Sequence, residues 1–491
     1  MKSDILVGPL LGLESNDIYT VSLLTRESVS FVDVLFGGQK ISAVNAGSTL
    51  SGTFWRAEIK VTVEAEDRKL EYQLELDAEI AADQNELELW TVHIPGTKNP
   101  PRLAYTSCNG FSEAGLREKT SNPYHLWNEM VSQHKDNPFS LLLMGGDQLY
   151  ADEIWHAVPE LSKWSDLPKD EKIKRKASKV MEQQIDSFYD KLYQKRWSNS
   201  SMSLIYASVP SVMMWDDHDI FDGWGSHPKE LSNCDVYLCI FKYAKKYFEL
   251  YQIRTKANKS LINSAAQHYA FSFEFRKYHI LAIDNRAERT LKEVMSSQQW
   301  LDVNNELKNI NNSRDLLLLS AVPIVYRDFS FTETAFDITP WEEELTDDLK
   351  DHWRAKEHQG ERARLIMNLL ENAKRRKART VILSGDVHIG CLGVINDCRL
   401  DNPVKIHQVV SSGIVHPSPS LIAWYGIMAV TNDNDEYLNE DNTIKVSMLK
   451  PHGSDKYIRS RNFVTMEEGS DSKLWINWIC EGKDCPVYPL A

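Results

Sequence analysis

Up to about Ile94, apolar and polar side chains largely alternate, the period of strands with one buried face. The segments Thr20–Leu24, Ser28–Val34, Trp55–Val61, Glu71–Leu76 and Glu86–Val92 are predicted strands, and together they predict a small antiparallel sandwich. The turn-rich stretch Pro95–Pro101 follows as a linker. Beyond it the pattern changes. Helical periodicity is predicted over Pro123–His134, Lys172–Lys195, Asn233–Tyr251, Ser296–Leu307 and Gly360–Lys377, between apolar runs that include His279–Asp284 and Leu316–Val325. Alternation of this kind predicts an α/β body. Four of the apolar runs end in polar clusters: Ala104–Asn109, Leu141–Tyr150, Val212–Asp219 and Val381–His388. Strands that end in this way deliver side chains to one edge of a sheet, where open α/β sheets place their sites. The acidic stretch Thr431–Glu436 is an expected loop, and the chain end, with Trp475, Trp478 and Tyr488, is expected to pack back on the body.

Composition narrows the picture. The 491 residues suffice for two or three domains, and a net charge of −14 argues against a surface that coats nucleic acid. A phosphate-bearing substrate remains compatible, because bound cations reverse the local sign. The seven cysteines follow no framework spacing. Cys480 and Cys485 form a disulfide, half of a zinc site, or two unrelated thiols. The early Asp4, the lack of a long apolar leader and the lack of any run long enough to span a membrane make a cytoplasmic location the expectation.

The four clusters carry the chemistry. In Gly146-Asp147-Gln148-Leu149-Tyr150, a carboxylate able to bridge two ions stands three residues before a phenol. An unperturbed phenol has a pKa of about 10, so a phenolate ligand points to a strong Lewis acid such as Fe³⁺. Cys108 adds a thiolate that iron also accepts; taken alone, it reads equally as a buried thiol. Asp147 alone reads as a turn or cap. Trp215-Asp216-Asp217-His218-Asp219 packs three carboxylates beside a histidine after a strand, which is costly unless cations compensate. In Ser384-Gly385-Asp386-Val387-His388, Asp386 and His388 lie two apart and share a side in extended geometry. Asp284-Asn285-Arg286-Ala287-Glu288-Arg289 places Arg286 and Arg289 either as a bidentate phosphate grip or as salt-bridge partners of Asp284. Asn109, Trp224 and His416 are candidate pocket residues, each with ordinary packing as the alternative. His352 and His358 lie on a helical stretch and read as surface or supporting positions.

As a set, the segments resemble the metallophosphoesterase superfamily, in particular its alkaline phosphatase D (PhoD-like) branch. The marks are Ser107-Cys108, Gly146-Asp147-x-x-Tyr150, Trp215-Asp216-Asp217-His218 and Ser384-Gly385-Asp386-Val387-His388, with a shortened helix mark at Gln299-Trp300-Leu301. The resemblance runs from about Pro101 to Pro417. It implies an α/β fold, a metallophosphoesterase-type β-sandwich flanked by helices and preceded by a small all-β domain of immunoglobulin or fibronectin type. The corresponding boundaries are 1–97, 98–430 for the catalytic domain, and 431–491 for a C-terminal segment packing on it.

The resemblance further implies two or more metal ions. Cys108, Asp147, Tyr150 and His388 would surround the first, with Fe(III) favoured. Asp147, Asp217 and Asp386 would hold the second, with Ca, Mn or Mg favoured by an all-oxygen set. Where the superfamily offers a further histidine to that ion, this chain has Ala321. Two-metal logic gives a metal-activated hydroxide attacking phosphorus in line. His218 would stabilise the transition state or protonate the leaving oxygen, oriented by Asp216 or Asp219. His218, Asp216 and Arg286 are thus the expected catalytic residues, and Asn109, Trp224, Arg289 and His416 the expected substrate contacts. The expected activity is metal-dependent hydrolysis of small phosphoric esters, diesters slightly preferred, with phosphomonoesterase as the alternative and a non-catalytic metal-binding or interaction module as the alternative of another class.

Overall fold

The computed structural model describes residues 3–328, 352–399, 401–482 and 485–491, and of Val430 the backbone alone. Its centre is a pair of sheets. In the first, the parallel strands Leu103–Thr106, Leu141–Gly145 and Ser211–Met214 lie side by side. In the second, Tyr278–Ala282, Asp315–Leu319, Thr380–Ser384 and Val404–Val410 are parallel neighbours. These strands are apolar almost throughout because both of their faces are covered. Leu103, Leu141 and Leu143 of the first sheet share one core with Leu317, Leu319, Val381 and Leu383 of the second. The alternate residues Ala104, Leu142 and Met144 face outward, into a core shared with the helices Lys179–Trp197, Ser200–Ser208 and Asp235–Tyr251. Leu316, Leu318 and Ile382 do the same against the helices Ser297–Asn309 and Gln359–Arg375.

The first 94 residues are all-β, as expected, and they divide between two sheets. Val32–Phe36, Gln39–Ser42, Arg68–Leu76, Glu79–Ile80 and Trp90–Ile94 form a sheet of their own. Ile5–Ser15, Ile18–Thr25, Val44–Ser48 and Thr53–Lys60 instead continue the first central sheet, joined where Gly12 pairs with Ser211. The opposite edge of that sheet comes from the chain end: Asn462–Glu468 pairs with Leu103–Thr106, then Leu474–Cys480 and Val487–Leu490 follow. The boundaries expected at 97 and 430 therefore separate stretches of chain that share sheets. Trp478, buried, donates its indole N–H to the Val410 carbonyl at 2.9 Å and ties the end of the chain to the second sheet.

Several elements differ from expectation. The helix expected over Lys172–Lys195 is two, Lys169–Lys174 and Lys179–Trp197, because Ser178 caps the second by accepting from the Met181 N–H. The strand expected over Leu316–Val325 ends at Leu319, and Ser320–Val325 leaves the sheet. Glu86–Leu89 lie outside the strand Trp90–Ile94, and Ser28–Phe31 precede the strand that starts at Val32. All seven cysteines are free thiols, so Cys480 and Cys485 form no disulfide.

Candidate metal centre

The C-terminal ends of the parallel strands in both sheets converge, and the four ligand-bearing turns meet there. The first sheet supplies Cys108, Asp147 and Asp216–Asp219; the second supplies Asp386 and His388. Donor atoms of Cys108, Asp147 and His388 all lie within 4.8 Å of one another, as do those of Asp147, Asp216, Asp217 and Asp386, and those of Asp147, Asp217 and His218. Asp147 belongs to all three groups. Tyr150 completes the first group, its Oη 3.1 Å from His388 Nε2 and 3.5 Å from Asp147 Oδ2. The six residues expected as metal ligands are therefore together.

The backbone is shaped to achieve this. Cys108, Asp147, Asp386 and His388 all sit at positive φ, between 51° and 67°. Left-handed backbone is uncommon outside glycine, costs of order 1–3 kcal/mol per residue, and gathers at functional sites. Hydrogen bonds lock the turns together: Cys108 N–H to Gly146 O, Asn109 N–H to Asp147 O, Ile414 N–H to Ser107 O and His416 N–H to Cys108 O. Two glycines permit the close approach. A Cβ on Gly385 would overlap the Ser107 side chain, and one on Gly110 would overlap the Tyr150 ring.

Burial sets the electrostatics. Asp147 is buried among carboxylates, and desolvation holds its carboxyl well above the usual range. Desolvation likewise raises the Cys108 thiol and the Tyr150 phenol, with the Asp147 charge adding to both. His388 is held well below the imidazole range by burial and by His416 and His218. Asp147 Oδ1 is buried without a hydrogen-bond partner among the described residues. A buried carboxylate oxygen left open at the junction of thiol, phenol, imidazole and further carboxylates is a donor set that fits metal ions.

The surroundings correct two expectations. His218 is oriented by Asp152 rather than by Asp216 or Asp219: Asp152 Oδ2 lies 2.8 Å from His218 Nδ1. Burial alone would depress the imidazole, but Asp152 and Asp217 reverse this and hold it well above its ordinary value. Asp152 Oδ1 also accepts the Asp222 N–H at 2.8 Å. The sequence signal was there, a carboxylate two residues past Tyr150, but the contact depends on how the two turns meet. Asp219 instead accepts four N–H groups, from Gln148, Leu149 and Asp216 backbone and from the Gln252 amide, and so joins the Asp147 turn to the Asp216 turn. Its carboxyl is pushed up to about 7, by burial first.

Arg286 is fully buried and pairs with Asp216 through Nε and with Asp217 through Nη2 at 3.3 Å. Arg286 is thus paired with Asp216 and Asp217 rather than with Asp284, which spends its carboxylate on the Trp215 indole and the backbone N–H groups of Tyr269, Arg286 and Ala287. Gln299 of the resemblance helix clamps this strand exit, accepting from the Asp284 N–H and donating to its carbonyl.

The expected substrate contacts divide. His416 lies at the centre, stacked on His388 at 3.6 Å and on Tyr150 at 5.3 Å, with Nε2 3.2 Å from Ser112 Oγ. Arg289 is buried with Nη2 3.4 Å from His358 Nδ1. Asn109 turns away into the packing, where its Oδ1 accepts the Trp127 indole N–H at 2.9 Å. Trp224 stacks on Phe241 at 4.8 Å, and its carbonyl accepts from Arg286. His352 and His358 are buried rather than on the surface, and His352 Nδ1 lies 3.9 Å from Asp386 Oδ2.

Comparisons with known proteins bear on the family and the fold. A family model described as PhoD related phosphatase matches residues 96–340 and 338–445. An uncharacterized protein of Saccharomyces cerevisiae is 28% identical over 423 residues, 73% of this chain; the match spans 58% of that protein's length. Among solved structures, that of PhoD superposes with a TM-score of 0.58 at 12% identity, covering 99% of this chain and 89% of that one. A purple acid phosphatase from yellow lupin (Lupinus luteus) seeds gives 0.51 at 12% identity, covering 98% and 74%. These likenesses give the fold, a metallophosphoesterase-type α/β sandwich. No helix among the described residues is long and apolar enough to cross a membrane.

Proposed function

The chain belongs to the PhoD-related phosphatase family, and from that premise we propose that it is a metal-dependent phosphoric ester hydrolase. The observation that carries the reading is Asp147: a buried carboxylate common to three groups of donors, with one oxygen left without a hydrogen-bond partner among the described residues. Cys108, Asp147, Tyr150 and His388 would hold the first ion, for which the thiol and phenol favour Fe(III). Asp147, Asp217 and Asp386 would hold the second, for which carboxylates favour Ca, Mn or Mg. Bound, such ions supply Lewis acidity: they neutralise phosphoryl oxygens and make water nucleophilic at neutral pH.

The chain's own residues do the rest. His218 is pinned at Nδ1 by Asp152, with Tyr150 stacked on its ring at 4.3 Å. It shares a donor group with Asp147 and Asp217, and so would hand a proton to the departing ester oxygen. Arg289, buried beside His358, would supply a cation to hold phosphate oxygens. Arg286 acts indirectly, holding Asp216 and Asp217 in place. His416 supports His388 through the ring stack. We place the substrate among small phosphoesters, diesters ahead of monoesters on the family resemblance.

The test is a paired assay on 4-nitrophenyl phosphate and bis(4-nitrophenyl) phosphate after loading with iron and Ca²⁺ or Mn²⁺. Turnover of the diester at the higher kcat/KM is expected. A higher value on the monoester moves the protein to the phosphomonoesterases. No turnover of either by metal-loaded protein favours the non-catalytic module.

A further inference from the structure

We propose that Gln252, remote in sequence from every expected ligand, is a positioning residue that sets how the Asp147 turn and the Asp216 turn face each other, an inference that rests on the metal reading above. Asp219 is the junction between those turns. Its Oδ1 accepts the Leu149 N–H at 3.1 Å, and its Oδ2 accepts the N–H groups of Gln148 at 3.2 Å and Asp216 at 2.9 Å. Gln148 and Leu149 lie between Asp147 and Tyr150, and Asp216 directly precedes Asp217. Any rotation of this carboxylate therefore shifts one ligand-bearing turn against the other. The three backbone donors belong to the turns and move with them. Gln252 does not. Its Nε2 donates to Asp219 Oδ1 at 2.8 Å, and among the described residues it is the one donor to Asp219 that comes from outside the turns.

Gln252 is itself held from three sides. Its backbone N–H bonds to the Phe248 carbonyl at 2.9 Å and closes the helix Asp235–Tyr251. The same Nε2 donates to Tyr193 Oη at 3.1 Å, on the helix Lys179–Trp197. The amide cannot be turned over without setting Oε1 against a carboxylate oxygen. Two residues on, the buried Arg254 has left-handed backbone, φ 68°, and donates to Ser211 through Nη1 to the carbonyl at 3.1 Å and through Nη2 to Oγ at 2.6 Å. Ser211 opens the strand that leads into the Asp216 turn and pairs with Gly12 of the N-terminal strands. A Cβ on Gly12 would overlap Arg254 Nη1, so the segment is seated against the joint between those strands and the central sheet. Two helices and a sheet thus fix the amide, and the amide fixes Asp219.

The test reads the metal centre by spectroscopy and turnover together. Full-length wild type, Gln252→Met, Gln252→Glu and Tyr193→Phe are loaded with iron and Mn²⁺. Metal content, melting temperature, the Tyr150 phenolate charge-transfer band, and kcat and KM on bis(4-nitrophenyl) phosphate are then measured. Gln252→Met removes the donor at similar length, and Gln252→Glu sets a second carboxylate against Asp219. Both are expected to keep their metal and their KM, to shift the band, and to lose roughly 10–100-fold in kcat, the scale of a small misplacement caused from outside the site. Tyr193→Phe spares the Asp219 contact and should move band and kcat the same way by less. A lower melting temperature with wild-type band and kcat is the mark of a purely structural residue and overturns the proposal, as does a folded variant unchanged in all three. Should neither Gln252 variant fold, Tyr193→Phe decides by the same band and kcat. Wild type that shows the band but turns over neither nitrophenyl ester removes the hydrolase reading, while a shifted band in the Gln252 variants still upholds the positioning role. Wild type that takes up no iron overturns the metal reading, and this inference with it.

Discussion

Replacing Asp152 by Asn probes the proposed proton donor without touching a metal ligand. In the native protein Asp152 uses both oxygens, Oδ2 at 2.8 Å from His218 Nδ1 and Oδ1 accepting the Asp222 N–H at 2.8 Å. An Asn keeps its single oxygen on Asp222 and turns its NH₂ group towards His218. A donor then faces Nδ1, which disfavours a proton there and removes the anion that orients the ring. Loss of a hydrogen bond to a charged group is worth about 1.5–3 kcal/mol. Where His218 must also deliver a proton, the full contribution of a positioned acid, about 10²–10⁴-fold, is at stake. The assay compares kcat on a 4-nitrophenyl ester, whose leaving group departs without help, with kcat on an alkyl ester, which needs a proton. Asp152→Asn should reduce the alkyl reaction by roughly 10²–10⁴-fold and the nitrophenyl reaction far less, with metal content unchanged. Equal losses on both esters, or an unchanged alkyl rate, would refute the assignment of His218 and Asp152 to the leaving group.

Other residues give further expectations. Removing the Arg286 charge with Arg286→Met leaves Asp216 and Asp217 without their buried cation. The metal-free protein should lose about 3–5 kcal/mol of stability by denaturant titration, part of it regained when Mn²⁺ is added; an unchanged metal-free midpoint would contradict the pairing. Gly110→Ala forces its new Cβ into the Tyr150 ring, so iron-loaded protein should show a weakened or shifted phenolate charge-transfer band, and an unaltered spectrum counts against Tyr150 as a ligand. Stability should also fall in mild acid. Burial depresses His134, His279 and His407 to about 4, against about 6.5 when unfolded. Between those values the unfolded chain binds more protons, so stability is retained above about 6.5 and declines as pH drops towards 4. Denaturant midpoints that stay flat from pH 7 to 4.5 would contradict this.

The parts of the fold and site that were legible share a local cause. Fully apolar runs such as Leu141–Leu143 and Val381–Leu383 are strands covered on both faces, and the polar clusters at their ends become the metal centre because parallel strands end on one side. The six expected ligands meet on that account. What was not legible depends on contacts between distant segments. Alternation in Ile5–Ser15 or Thr53–Lys60 reports a buried face but not which sheet the strand joins, and the edge partners Asn462–Glu468 come from the far end of the chain. Asp152 reaches His218 only because the Tyr150 turn lies against the Asp216 turn, a register that the carbonyl of His218, accepting from the Ala151 N–H, holds in place. Asn109 was adjacent to a ligand in sequence yet points into the packing at Trp127. His352 reads as surface or supporting on a helical stretch, yet it is buried with Nδ1 3.9 Å from Asp386 Oδ2, next to Trp353, which is held by Ser320.

The central claim is that this cluster is a metal centre organised by Asp147. Its most direct test is elemental analysis of the purified full-length protein beside its Asp147→Asn variant, each incubated with iron and Mn²⁺ and then desalted. Asp147 takes part in every donor group, so the account predicts iron and a second ion in near-stoichiometric amounts in the wild type, and loss of both in the variant. Wild type that retains no metal, or a variant that keeps the full complement, would contradict it.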